Sequence, residues 1–173
     1  MISFRQTIFL LLTAFTLGSC GAPQGGGCRS PWAGSSDQFL GSQATNFVLP
    51  NLAGEEVGLA NLASQKPTLL VFWATWCPTC VEEIPVLKSW SEKYPELQIL
   101  AINVEEPAAR VQAFAKKYKI HYSILLDQEG DVAHEYGLVG IPAAVLLAKG
   151  GRVIYYGFSL PGNIEQLIEV KKS

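Results

Sequence analysis

The chain has 173 residues, 49% of them apolar, and a formal net charge of −2. That size and apolar content suit one globular domain with additions, and the lack of any basic cluster argues against nucleic acid as a partner. Its four cysteines, Cys20, Cys28, Cys77 and Cys80, are too few and too unevenly spaced for a disulfide scaffold.

The N-terminus reads as an address. A single positive charge, Arg5, precedes an apolar run from Ile8 to Leu17. The run is shorter than the roughly 20 apolar residues that cross a bilayer, so residues 1–19 read as a secretory signal. The ending Leu17-Gly18-Ser19-Cys20 resembles a bacterial lipobox, an aliphatic residue and two small ones before the cysteine that takes lipid. The resemblance implies that Cys20 becomes the lipidated first residue, anchored to a membrane of the bacterial cell envelope on its extracytoplasmic side. From Cys20 to Gln43 the chain is rich in Gly, Ser and Pro, with Gly25-Gly26-Gly27 inside it. This stretch reads as a flexible linker with a mean reach of roughly 25 Å. Cys28 lies within it with no obvious partner and reads as a passenger.

The folded domain is expected over residues 44–173. Asn46–Leu49 and Val57–Leu59 flank turn residues Asn51 to Glu55, an N-terminal hairpin. Thr68 to Ala74 is a continuous apolar run, the pattern of a central parallel strand. A helix follows from the cysteines to Tyr94, with Ile84, Leu87, Trp90 and Tyr94 near one face and Pro85 predicting a kink or a late first turn. Leu97 to Val104 is the next strand. Pro107 opens a helix with Val111, Phe114, Ala115 and Tyr118 on one face. Ser123 to Leu126 reads as a short strand, and Val132 to Tyr136 as one or two helical turns. Ala143 to Leu147 and Arg152 to Phe158 are strands joined at Lys149-Gly150-Gly151 as an antiparallel hairpin, and a last helix starts near Asn163. Strands that alternate with helices and then end in a hairpin and helix describe an α/β fold with a mixed central sheet covered by helices.

The chemistry concentrates at Phe72-Trp73-Ala74-Thr75-Trp76-Cys77-Pro78-Thr79-Cys80. A C-x-x-C can be half of a zinc site, but a second ligand pair is needed. The sequence has no second C-x-x-C and no H-x3-H, and its two histidines, His121 and His134, are far apart. At a strand-to-helix junction the motif reads instead as a redox pair. Cys77 at the helix start faces free N–H groups and the positive end of the dipole, which favour the thiolate. Cys80, one turn further on, shares its face; Trp73 and Trp76 supply bulk that shields one sulfur and leaves the other open, and Cys77, at the helix start, is expected to be the exposed one.

This nonapeptide resembles the active site of exported thioredoxin-like thiol–disulfide oxidoreductases of the TlpA/ResA/DsbE group, and the resemblance extends from about Ala44 to Val170. It implies a thioredoxin-like fold with an added N-terminal β-hairpin, a redox-active Cys77–Cys80 disulfide, and no cofactor or metal. It implies protein substrates bearing disulfides, apocytochrome c among them, and a membrane thiol-electron carrier as donor. Pro142 matches the proline that has a cis peptide bond in this group. Ile141 before it then offers its backbone to an extended substrate, with Trp76 alongside. Ala143 and Ala144 depart from the usual Pro-Thr. Glu83 matches a glutamate that assists proton transfer at the cysteines; the alternative is that Glu82 and Glu83 only complement the helix dipole. Two other readings stay open, a thiol peroxidase and a copper chaperone. The peroxidatic pattern P-x-x-x-T-x-x-C is absent, since Leu70 and Ala74 stand at its Pro and Thr positions. The chaperone reading needs C-x-x-x-C and a distant histidine, for which His134 is the candidate.

Overall fold

The computed structural model describes residues 39–169. The signal segment, Cys20, Cys28 and most of the expected linker therefore lie outside the described residues. Among the described residues, seven strands and five helices follow in order: β1 (Val48–Pro50), β2 (Glu56–Gly58), α1 (Leu59–Ala63), β3 (Thr68–Trp73), α2 (Pro78–Lys93), β4 (Gln98–Val104), α3 (Ala108–Tyr118), β5 (Ser123–Asp127), α4 (Asp131–Glu135), β6 (Ala143–Leu147), β7 (Val153–Gly157) and α5 (Ile164–Glu169). The main sheet has the order β5-β4-β3-β6-β7. β3, β4 and β5 run parallel, while β6 and β7 are antiparallel to their neighbours.

β3 sits at the centre, and all six of its residues are buried. A strand covered on both faces needs a continuous apolar run, as Leu69 to Trp73 supplies. Side chains alternate, so Leu70 and Phe72 enter one core while Leu69 and Val71 enter the other. The first core lies under the hairpin, α1 and α4, around the fully buried Tyr136. The second lies under α2 and α5, with Leu87, Tyr94, Ile164 and Ile168. Val111 and Ala115 of α3 continue that face towards Trp73 and the two cysteines.

Both sheet edges are covered, which removes rows of unpaired N–H and C=O groups. β1 pairs antiparallel with β2, and Asn51 bridges to Leu125 on the edge strand β5. The opposite edge differs from expectation. Phe39 to Gln43, read above as the end of the linker, packs along β7. The ring of Phe39 stacks on Tyr156 at 5.1 Å, Gly41 N donates to Val153 O, and Val153 N donates to Ser42 O. One aromatic ring and an open strand edge outweigh the local Gly/Ser composition here.

Two other expectations change. Leu59, expected as a strand end, opens the short helix α1, where its side chain is buried. α2 begins at Pro78 and runs through Pro85 to Lys93, so Pro85 does not delay its first turn.

Candidate functional site

The site forms where β3 ends. Ala74 O accepts from Cys77 N, turning the chain into α2, whose N-cap is Cys77 with φ −89 and ψ 108. Pro78 fills the first helical position, where a missing N–H costs nothing. Cys77 Sγ accepts a hydrogen bond from Cys80 N at 3.2 Å. The sulfur thus takes the place that a Ser or Asp oxygen fills in an ordinary helix cap. Cys77 and Cys80 form a disulfide with Cα atoms 5.3 Å apart.

The expectation that Cys77 is the open sulfur is not met in this disulfide state. Cys77 is 4% exposed and Cys80 3%. Both pack with Trp73, Ala101 and Val111 beneath the helix start. The two tryptophans divide differently from a shared shielding role. Trp73 is buried, while Trp76 stands 67% exposed beside the disulfide.

The Ile141–Pro142 peptide bond is cis, as the resemblance implies. The register sets its place. Ala143 pairs with Phe72 of β3, so Pro142 lies level with the end of β3 where the cysteine loop begins. Pro142 is buried and Ile141 half-buried.

Glu83 lies one turn after Cys80 on the same helix face. Its Oε1 accepts from Leu160 N at 3.3 Å. Burial pushes its pKa above the usual carboxylate value, and the Leu160 N–H offsets part of this. The Tyr122 phenol is raised in turn, first by burial and then by the Glu83 charge.

Glu106 escapes the sequence reading. It is 4% exposed. Its carboxylate accepts from Thr75 N at 2.7 Å, Thr75 Oγ1 at 2.6 Å and Asn103 Nδ2 at 2.8 Å. Arg110 Nη1 stands 3.8 Å away. This carboxylate braces the loop that carries Trp76 and Cys77. The one signal in the sequence is an acid placed two residues after a buried strand and directly before Pro107.

His121 sits against Ser91 and Glu92, and His134 lies on α4. Among the described residues, no group of three His, Cys, Asp or Glu side chains is placed to hold a metal ion.

A buried disulfide at a helix start, with a cis proline level with the strand end that leads into it and a carboxylate one turn along the same helix face, is equipped for disulfide exchange. Similarity to known proteins agrees. The family model described as "AhpC/TSA family" matches residues 40–156. The thiol-disulfide oxidoreductase ResA of Geobacillus thermodenitrificans is 36% identical over 137 residues, covering 75% of this chain and 76% of that protein. The crystal structure of StoA from Bacillus subtilis superposes with a TM-score of 0.60 at 28% identity, over 72% of this chain and 95% of that one. A secreted disulfide oxidoreductase of Mycobacterium tuberculosis, described as homologous to DsbE of E. coli, superposes with a TM-score of 0.60 at 27% identity, over 66% of this chain and 84% of that one. The chain belongs to the AhpC/TSA family, within its TlpA/ResA/DsbE group of thioredoxin-like thiol–disulfide oxidoreductases.

Proposed function

We propose that the protein is a membrane-anchored, extracytoplasmic reductase of disulfides in exported proteins. The observation that carries this reading is the Cys77–Cys80 disulfide at the start of α2, with Glu83 on the same helix face. In the reduced enzyme the Cys77 thiolate attacks one sulfur of a substrate disulfide. The substrate S–S bond breaks, its leaving sulfur takes a proton, and a mixed disulfide forms through Cys77. The Cys80 thiolate then attacks Cys77 Sγ, releasing the second substrate thiol. Two electrons have passed to the substrate, and the enzyme is left as the disulfide. A membrane thiol carrier re-reduces it by the same exchange run in reverse. Ile141 offers backbone groups to an extended substrate segment, and Trp76 and Pro142 flank it. Apocytochrome c and other exported proteins with unwanted disulfides are the substrate class that the resemblance implies.

Glu83 gives the pair its direction. The helix start lowers the Cys77 pKa and a nearby carboxylate raises it. With Glu83 ionised the thiolate is disfavoured, the dithiol is less stabilised, and the couple moves to the reducing side. Glu83→Gln is therefore expected to lower the Cys77 pKa and make the potential less negative. A change of one pKa unit is about 1.4 kcal/mol, or about 30 mV for a two-electron couple, so the shift is on the order of tens of millivolts. Because burial raises the Glu83 pKa, its charge is lost earlier on acidification than an exposed glutamate's, and wild type and variant converge at low pH. Thiol titration of both proteins is the test. An unchanged Cys77 pKa returns Glu83 to a helix-dipole role.

The anchor is Cys20, which carries the lipid and becomes the first residue once residues 1–19 are removed. Cys20→Ala is expected to release the domain from membranes or leave the precursor uncleaved. A mature N-terminus that mass spectrometry finds elsewhere and unmodified defeats this part.

A further inference from the structure

A cavity of about 550 Å³ opens beside the disulfide. Trp76, next to Cys77, and Ile141, next to the cis proline, form its near wall. Val104 and Ala133 extend the apolar lining, and Glu105 and His134 supply the polar groups. The reductase reading uses Trp76 and Ile141 for the substrate segment and leaves the rest of the lining, Val104, Glu105, Ala133 and His134 among it, unassigned.

Glu105 is held there by an unusual backbone. Its φ is 57, in the left-handed region that non-glycine residues rarely occupy. Its N–H is tied to Asp127 O at 2.9 Å, and the N–H of Gly130 reaches the same oxygen at 3.2 Å. Gly130 also has a positive φ, and a Cβ there would lie 2.7 Å from Glu105 Oε1. The glutamate side chain therefore lies against Gly130. Such local strain concentrates at functional sites.

The neighbouring glutamates differ in what they meet. Glu106 is spent on Thr75, Asn103 and Arg110. No cation among the described residues lies within ion-pair distance of Glu105. Nor does the Glu105 carboxylate neutralise the start of α4, because Asp127 already accepts from Val132 N and Ala133 N.

We infer that this cavity is a specificity pocket for a Lys or Arg side chain flanking the attacked cysteine of the substrate protein. The inference rests on the reductase reading and names its substrate class more closely. A long basic side chain fits both halves of the pocket. Its methylene stem covers Val104 and Ile141, its charged head meets Glu105, and the exposed Trp76 ring offers a cation–π face. An aliphatic residue fills the apolar wall but leaves the carboxylate partly desolvated and unpaired. An acidic residue is repelled. A substrate strand rises about 3.3 Å per residue, so a neighbour one or two positions from the reacting cysteine reaches the pocket.

The test uses the reduced full-length protein and three peptides, each with one internal disulfide, identical except for Lys, norleucine or Glu beside the cysteines. At low ionic strength, wild type is expected to reduce the Lys peptide with a kcat/KM about threefold or more above the norleucine peptide, with Glu slowest. The Lys advantage is expected to vanish in Glu105→Gln and in about 0.5 M salt, where charges are screened within a few ångströms. Glu105→Lys is expected to invert the order. Equal rates for all three peptides in wild type overturn the pocket and leave the reductase reading standing, as does a Lys preference that survives Glu105→Gln. Failure of wild type to reduce any peptide overturns the reductase reading, and the pocket falls with it.

Discussion

Cys80→Ala is expected to accumulate mixed disulfides with substrate proteins, and Cys77→Ala to accumulate none. The two cysteines are equally buried, at 4% and 3%, so residue exposure does not distinguish them. Electrostatics does. Cys77 is the N-cap of α2, and its sulfur accepts the Cys80 N–H. Free N–H groups and the helix dipole act on it within the first turn, stabilising the thiolate. Cys80 lies inside the helix, and its own N–H is already committed to Cys77. Only Cys77 then attacks a substrate disulfide, and only Cys80 resolves the adduct. Non-reducing gels and mass spectrometry of trapped adducts provide the readout, with the effect close to all-or-none. Equal trapping by both variants reverses the assignment.

Glu106→Ala is expected to destabilise the fold by about 2–4 kcal/mol, because it leaves the buried Asn103 Nδ2 and the part-buried Thr75 N and Oγ1 without their acceptor, and a buried orphan costs about 1–3 kcal/mol while a part-buried one costs less. Arg110 contributes little, since it is largely exposed and 3.8 Å away. Glu106→Gln keeps one acceptor oxygen and loses the other, so a cost of about 1–2 kcal/mol is expected. Both variants also free the Thr75–Trp76 segment and are expected to slow the reaction at Cys77 more than the reduction of Cys77–Cys80 by a small dithiol. Urea unfolding checks the first part. A loss under about 1 kcal/mol in Glu106→Ala would mean that water replaces the carboxylate freely and that the loop needs no brace.

The parts of this protein that were legible in advance are those specified by nearby residues. β3 was visible as an apolar run, and the hairpin by its turn residues. The helix face carrying Cys80 and Glu83 followed from their spacing. The cis bond at Pro142 was visible only through the family resemblance, since neither pattern nor composition selects it. What stayed hidden depends on partners far along the chain. Glu106 looks like an ordinary acid before a helix until Thr75, 31 residues away, is brought to it. Phe39 sits in a Gly/Ser-rich stretch, and its reason for order is Tyr156 on the open edge of β7. Glu105 is exposed and unremarkable by type; its left-handed backbone and the bare surface of Gly130 exist only in the folded chain.

The reduction potential of the Cys77–Cys80 pair tests the central claim most directly. Equilibration of the full-length protein with glutathione or dithiothreitol buffers, followed by alkylation and mass measurement, gives it. A reductase with Glu83 beside its cysteines is expected to lie near or below thioredoxin, at about −270 mV. A value near that of the strong oxidant DsbA, about −120 mV, would show that the reduced form is the stabilised one and would contradict the reductase account.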